Sequence, residues 1–293
     1  ICSVRLIDRY RLRLERRKLL YRAFRRRRQL AALQVRTRDL SQSPVLAFTT
    51  LRNERVRLPY FLDYYRELGV NHFLMVDNGS TDGSREYLFE QNDVSLWGTD
   101  ASYRGSRFGA DWLGWLQMRY GHGRWCLTVD TDEFLIYPFC DTRPLSALTN
   151  WMDASGLTAF PAMLLDLYPK GPLAEHTYND GQNPFETACW FDSGNYTIKP
   201  NRRYGNLWIQ GGPRARAFFA DDPAAAPALN KIPLVKWNRR YAYRTSTHNL
   251  LPRGLNLVYA ADGGEAISGC LLHAKFIGSF ATRAEDEAGR EEH

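Results

Sequence analysis

What the chain lacks narrows its class first. It has no run of about 18 apolar residues, so no segment reads as a membrane-spanning helix. Its arginine-rich start is never followed by the apolar stretch that a secretory signal requires. The five cysteines, Cys2, Cys126, Cys140, Cys189 and Cys270, are odd in number, scattered, and form no Cys-x-x-Cys pair. That pattern speaks against a disulfide framework and a structural zinc, so a reducing cytosol is the expected setting and small buried apolar side chains their expected role. No internal repeat is visible, and low complexity is confined to the arginine-rich arm and Pro223-Ala-Ala-Ala-Pro227.

What is present is the composition of a large globular body. The 293 residues are 44% hydrophobic and 13% aromatic, enough for a substantial core and too apolar for disorder. The formal charge of +7 is unevenly placed: residues 1–40 hold fourteen Lys and Arg against three acids, +11, and the other 253 residues carry −4. The basic character therefore belongs to one arm. Ile7 to Leu33 contains no Gly or Pro, and Ile7, Tyr10, Leu14, Tyr21 and Phe24 recur near helical spacing, which predicts a helix. The run Arg25-Arg-Arg-Arg28 beside Leu19, Leu20 and Phe24 suits contact of residues 5–38 with an anionic membrane surface, where each cation contributes about 1 kcal/mol. Pairing with the acidic body or with another chain is the plain alternative. Nucleic acid is disfavoured, because the aromatic and glycine pattern of an RNA-binding module is missing.

Ser41-Gln-Ser-Pro44 breaks the helical pattern, giving an expected arm over 1–43, a body over 44–280 and a polar tail over 281–293. The body opens with short β-branched and aromatic runs that predict strands at 45–51, 72–77, 94–97 and from Trp125, alternating with helical patterns at 58–68, 85–90 and 108–120. Strands alternating with helices imply a parallel sheet covered by helices. Further on, 143–152 predicts a helix, and 157–167, 231–237 and 269–277 predict strands; 168–205 reads as loop-rich.

One stretch stands out chemically. The apolar run from Trp125 ends in Asp130-Thr131-Asp132-Glu133 and resumes as Phe134-Leu-Ile-Tyr137, so three carboxylates sit between two strand-like pieces. Like charges this close raise one another's pKa and cost stability unless a cation or hydrogen bonds neutralise them. A hard divalent cation such as Mg²⁺ or Mn²⁺ on Asp130 or Asp132, completed by phosphate oxygens, would explain the cluster. A solvated acidic turn is the bland alternative. In parallel sheets ligands bind beyond the carboxyl ends of the strands, and here Asn53-Glu54, Asp77-Asn78 and Asp130-Asp132 would share one such rim.

The combination resembles glycosyltransferase family 2, in the bacterial subgroup with an Asp-x-Asp-Glu-Phe motif. Its carriers are Thr49-Thr-Leu-Arg-Asn-Glu54, Val76-Asp-Asn-Gly-Ser-Thr-Asp-Gly83 and Val129-Asp-Thr-Asp-Glu-Phe134, in that order. Met163-Leu-Leu-Asp-Leu-Tyr168, Phe191-Asp192, Gly211-Gly212, Lys231-Ile-Pro and Ser246-Thr-His248 extend the likeness. The resemblance implies the GT-A fold, an α/β, Rossmann-like mixed sheet with helices on both faces, here preceded by the basic helix. It also implies a nucleotide-sugar donor, UDP-linked in the common case, a divalent metal (Mn²⁺ or Mg²⁺), and inverting transfer to a hydroxyl of a glycan or glycolipid acceptor. Polysaccharide biosynthesis in the cytoplasm, peripheral at the inner face of the membrane, is the expected setting.

Residue by residue, the resemblance puts Thr50, Asn53 and Glu54 near the nucleobase and Asp77 on base or ribose. Asn78 replaces the usual second Asp of that motif. Asp130 would face ribose or sugar and Asp132 the metal, with His248 favoured over His273 as a late third ligand. Arg214 and Arg216, after Gly211-Gly212-Pro213, suggest a loop approaching phosphate, more so than Arg104, Arg107, Arg202, Arg203 or Lys275. A carboxylate base for the acceptor hydroxyl would lie outside these motifs, with Asp166, Glu186 and Asp192 the candidates; Asp166 stands out inside an apolar strand, where a buried salt bridge to arginine is the alternative. An EF-hand reading of 78–89 fails because Phe89 stands where Glu is needed. Phosphoryl transfer of the haloacid dehalogenase kind fits less well, since the acidic motif follows the fourth strand and Phe134 occupies the position of a Thr or Val. A non-enzymatic rival is a basic surface-binding protein with a degenerate transferase body.

Overall fold

A computed structural model describes residues 6–37, 40, 44–258 and 266–277. The tail expected over 281–293 lies outside the described residues, as does Cys2. The chain begins with helix α1 (Leu6–Arg26) and strand β1 (Ala31–Gln34), then β2 (Val45–Leu51), α2 (Leu58–Glu67), β3 (His72–Asp77), α3 (Ser84–Phe89), β4 (Val94–Gly98), α4 (Ala110–Tyr120) and β5 (Trp125–Thr128). After the acidic turn come β6 (Glu133–Ile136), α5 (Leu145–Ala154), β7 (Ala159–Asp166), α6 (Pro184–Thr187), β8 (Tyr196–Asn201), β9 (Asn206–Gly211), α7 (Gly212–Phe218), β10 (Asn230–Lys236), β11 (Ala242–Thr245), β12 (Asn249–Leu251) and β13 (Gly269–His273).

Nine strands form one mixed sheet in the order β1-β4-β3-β2-β5-β10-β7-β13-β6. The alternating first half dictates its parallel part, β4-β3-β2-β5. Along β2 and β3 successive side chains alternate between two cores: Val45, Ala47, Phe73 and Met75 on one face, Leu46, Phe48, Leu74 and Val76 on the other. Helices α2, α3 and α5 cover the first face, and α4 covers the second. Strands buried on both sides read as unbroken apolar runs, which is why they were legible as strands. On α2 the residues Leu58, Phe61, Leu62 and Tyr65 are fully buried, each contributing on the order of 2 kcal/mol of burial. The expected α/β architecture with helices on both faces and a basic helix in front is thus present.

The second half of the sheet is mixed: β10 runs antiparallel to β5 and β7, and β13 runs parallel to β7 and antiparallel to β6. Between β5 and β6 lie β10, β7 and β13, a span of roughly 19 Å in a flat sheet at about 4.8 Å per strand. Five peptide steps reach at most about 18 Å, and residues 130–133 make a turn, with Glu133 N donating to Asp130 O at 3.1 Å. The sheet must therefore roll over at this point. The acidic turn sits inside the roll.

The arm differs from its expected form. The predicted helix over 7–33 stops at Arg26, and Ala31–Gln34 instead pairs antiparallel with β4, Ala31 opposite Gly98. Unpaired edge groups of β4 outweigh the local helix preference of Leu and Ala. A Cβ on Gly98 would lie 2.8 Å from the Leu33 side chain, which would have to shift to admit it. Helix α1 itself docks on the body through Leu12, Leu19 and Ala23, packed near Tyr204, Ala242 and Leu251. Arg22 pairs with buried Asp111 at 2.9 Å, and Glu15 meets Arg203 and Arg244. The residues whose spacing predicted the helix, Ile7, Tyr10, Leu14, Tyr21 and Phe24, are its exposed side. The arm therefore has two apolar faces, one docked and one open. Sequence reading also missed the β8–β9 and β11–β12 hairpins and α7, because these strands are short and range from mostly exposed in β8 to buried in β12, with no alternating pattern to mark them.

Arg66 of α2 holds Asp93, at the entry to β4, through two bonds of 2.8 and 2.7 Å. Burial pushes the Asp93 carboxyl up, but the guanidinium overcomes this and holds it below its usual range. A carboxylate with a depressed folded-state pKa contributes stability above its unfolded value of about 3.9, and loses it as pH falls through the folded one. Asp93→Asn is expected to lower unfolding stability in urea by about 1 kcal/mol at pH 7, both partners being part-exposed, with the gap closing below about pH 4. An identical gap at pH 7 and pH 3.5 would refute the ion pair's contribution.

Candidate functional site

A cleft of about 290 Å³ opens at the carboxyl ends of the parallel strands. Thr50, Arg52 and Glu54 reach it from the end of β2, Asn78 from β3, and Asp130 to Glu133 from β5, so the three polar strand ends do converge. Register explains this, because Leu51, Asp77 and Gly98 are aligned across β2, β3 and β4. The second half closes the other wall with Lys231 of β10, His273 and Lys275 at the end of β13, and Arg214 of α7.

Phe134 fixes the turn in place. It is buried against Tyr60, Tyr64 and Phe185, while Tyr65 Oη donates to Glu133 O at 2.8 Å and accepts from Leu135 N at 3.1 Å. The aromatic residue after the acids is the anchor that points them inward.

The acids are neutralised from distant strands. Glu133, 2% exposed, accepts from Lys231 Nζ at 2.8 Å. Asp132 lies 3.4 Å from His273 Nε2 and 3.9 Å from Arg57, a guanidinium only 4% exposed. His273 Nδ1 meets Asp166 at 2.6 Å, and Arg214 Nε donates to the other Asp166 oxygen at 2.7 Å. A continuous ionic chain, Asp132-His273-Asp166-Arg214, thus runs along one wall. Burial pushes the Asp132 carboxyl up, but His273, Arg57 and Lys275 outweigh it and hold it well below the carboxylate range. Burial pulls the His273 imidazole down, and Asp132 and Asp166 together raise it. Asp130 lacks such a partner. Desolvation by the surrounding protein and the Glu133 charge raise its carboxyl above its usual range, although the side chain opens to the cleft.

Several expected roles change place. His248 lines the cleft, but its Nδ1 meets Asn230 O at 2.7 Å, and burial with Lys231 nearby depresses it to about 3. It is His273 that stands against Asp132. Asp166 is 2% exposed with both oxygens engaged, so it positions His273 and Arg214 and is not an open base. Asp192 accepts from Tyr168 Oη and pairs with Arg216, and Glu186 is exposed on α6; neither lines the cleft. The phosphate loop expected at Gly211-Gly212 is the start of α7. A Cβ on Gly211 would lie 2.1 Å from Asn195 O, so this glycine serves the β8–β9 hairpin. Arg214 still reaches the cleft; Arg216 does not. Asp77 is fully buried behind the rim, 2.6 Å from Arg85, and Asn53, at φ 52°, accepts from Thr81 N at 2.8 Å to brace the β3–α3 loop. Of the other cations considered, Lys275 lines the cleft, whereas Arg107 pairs with Asp111 and Arg203 with Glu15.

Lys231 and Arg57 were missed, and His273 was ranked behind His248. A lysine inside Ile-Pro-Leu-Val and a histidine closing Cys-Leu-Leu were the available signals, since a charge in an apolar strand needs a partner.

Two buried polar atoms of residues that line the cleft, Arg214 Nη2 and Thr50 Oγ1, have no hydrogen-bond partner among the described residues. Such atoms are uncommon and mark places where a ligand or solvent completes the site. Among the described residues no group of three or more His, Cys, Asp or Glu is arranged to cage a metal. Asp132 and His273 are adjacent donors that suit a cation drawing its remaining ligands from phosphate oxygens.

Lys231→Met is expected to cost about 3–5 kcal/mol in unfolding free energy by leaving Glu133 buried and unpaired. Lys231→Met with Glu133→Leu should recover most of that loss. A double variant as unstable as the single one would show that the pair is not what holds the turn.

No family model matches the chain, and no curated protein matches it. Among solved structures it is similar to glucosyl-3-phosphoglycerate synthase from Mycobacterium tuberculosis, solved with Mn²⁺, UDP and phosphoglyceric acid, at 15% identity and TM-score 0.26 over 46% of this chain and 47% of that one. It is similar also to the mannosyltransferase Ktr4p from S. cerevisiae, at 12% identity and TM-score 0.23 over 60% and 54%. For 4-diphosphocytidyl-2C-methyl-D-erythritol synthase the figures are 14% and 0.29 over 48% and 66%. The chain spans less than two thirds of each, and likenesses this partial leave function to be argued from the cleft.

Proposed function

We propose that the chain is a metal-dependent glycosyltransferase of the GT-A kind that uses a nucleotide-sugar donor. The observation that carries this reading is the convergence of Asp132 and His273 with Arg214, Lys275 and Lys231 at the carboxyl rim of a parallel sheet. A cleft rich in both carboxylates and cations suits a metal–diphosphate pair, each sign offsetting one half of the ligand. The resemblance of the three ordered motifs to family 2 supports the finer reading: a UDP-linked donor with Mn²⁺ or Mg²⁺, inverting transfer, and a glycan or glycolipid acceptor.

The residues divide the work. Thr50, Glu54 and Asn78 line the end of the cleft that would receive the nucleoside, and Asp130 faces its ribose or sugar. Asp132 and His273 would hold the metal, whose chemistry is to neutralise charge on the departing nucleotide. Asp166 keeps His273 oriented through Nδ1, which leaves Nε2 turned to Asp132. Arg214, fixed by Asp166, lines the cleft, where its guanidinium would meet a diphosphate oxygen.

A thermal-shift panel of nucleotides and nucleotide sugars with and without Mn²⁺ tests this. A ligand at about 100 times its Kd adds about 2.7 kcal/mol, roughly 5–10 °C for a chain this size. The metal-dependent shift should vanish in Asp132→Ala and His273→Ala and persist in His248→Ala. A flat panel for the intact protein, or equal shifts after Asp132→Ala, overturns the site. Donor hydrolysis separates a working enzyme from a degenerate body.

A further inference from the structure

Sharing no residue with the rim, Arg13, Arg16, Arg17 and Leu20 of α1 and Arg240, in the turn after β10, border a second hollow of about 380 Å³. Four arginine side chains border it, lining it mostly with their carbon stems and carrying their charges around its edge. None of the four forms an ion pair with a described carboxylate, although Arg22, Arg203 and Arg244 nearby all do. Arg16 Nε is buried without a hydrogen-bond partner, and burial with the fields of Arg13 and Arg240 lowers its pKa. Arg13, Arg17 and Arg240 are exposed and Arg16 is half-buried, and like charges gathered around one hollow without a described carboxylate suit an anion.

The hollow adjoins the open face of the arm. At 100° per residue, Tyr10, Leu14 and Tyr21 lie opposite the docked Leu12, Leu19 and Ala23, and Arg13 and Arg17 fall on the flank between that open face and Arg16. Tyr10 is 61% exposed and Tyr21 59%. Docking has used the inner face, so the outer aromatic and aliphatic side chains serve nothing within the body. Aromatic rings beside arginines fit the boundary between lipid headgroups and acyl chains, and the +11 charge of residues 1–40 complements an anionic leaflet.

We propose that Arg13, Arg16, Arg17 and Arg240 bind the phosphate of an anionic phospholipid while Tyr10, Leu14 and Tyr21 enter the bilayer interface beside it. The proposal is independent of the transferase reading, because no residue of the rim takes part.

Sedimentation of the full chain with phosphatidylcholine vesicles, with and without 30% phosphatidylglycerol, provides the test. Binding is expected only to the anionic vesicles, weakening as salt rises. Arg13→Gln with Arg17→Gln should weaken it about tenfold or more, given about 1 kcal/mol per cation. Arg240→Gln, outside the arm, should weaken it severalfold. Tyr10→Ser with Tyr21→Ser, on exposed positions that do not disturb docking, should weaken it with the salt dependence unchanged. Arg119→Gln with Arg124→Gln is the charge-matched control and should retain binding; an equal loss there overturns the built site. Equal binding to neutral vesicles overturns the phosphate contact. Thermal stabilisation by inorganic phosphate or pyrophosphate without vesicle binding would assign the hollow to a soluble ligand and overturn the lipid, as would capture of RNA alone.

Discussion

Glu133 is buried and Asp132 half-buried in the acidic turn largely because cations arrive from strands laid down much later. Glu133 waits for Lys231, and Asp132 for His273, partners 98 and more residues further along. Without β10 and β13 the turn would keep only Arg57 to offset its negative charge. The site and the second half of the fold therefore stand or fall together. The roll of the sheet, forced by a connection too short to cross it flat, brings the late strands within reach.

The same arrangement explains why the wall of the cleft is stiff. Asp132, His273, Asp166 and Arg214 are linked end to end, and each group satisfies the charge of its neighbour. Side chains so tied have few rotamers to lose when a ligand arrives, which lowers the entropic cost of binding. Asp130, at the start of the turn, has no such tie and remains the adaptable member of the group.

The first half of the fold was legible because its strands are buried on both faces and its helices carry an uninterrupted apolar stripe. The rim followed from chain direction alone. The second half was not legible, because its hairpins are polar and its elements are defined by partners distant in sequence. Asp166 stood out because a carboxylate in an apolar strand needs a partner, and sequence cannot name His273 and Arg214 as that partner. His248 and His273 differ only in what faces them. The arm was misjudged in a more instructive way, since the apolar spacing was real but belonged to the side turned outward.

Strand β1 gives the arm a mechanical consequence. Four residues immediately after the basic helix are stitched by backbone hydrogen bonds along the border of the nine-stranded sheet. A tug on α1 would load that seam lengthwise, in shear, where the bonds must break together, instead of peeling one by one. Trimming the chain up to residue 34 would do more than remove charge. It would bare the flank of β4, an apolar ribbon of unpaired amides inviting another copy to stack alongside.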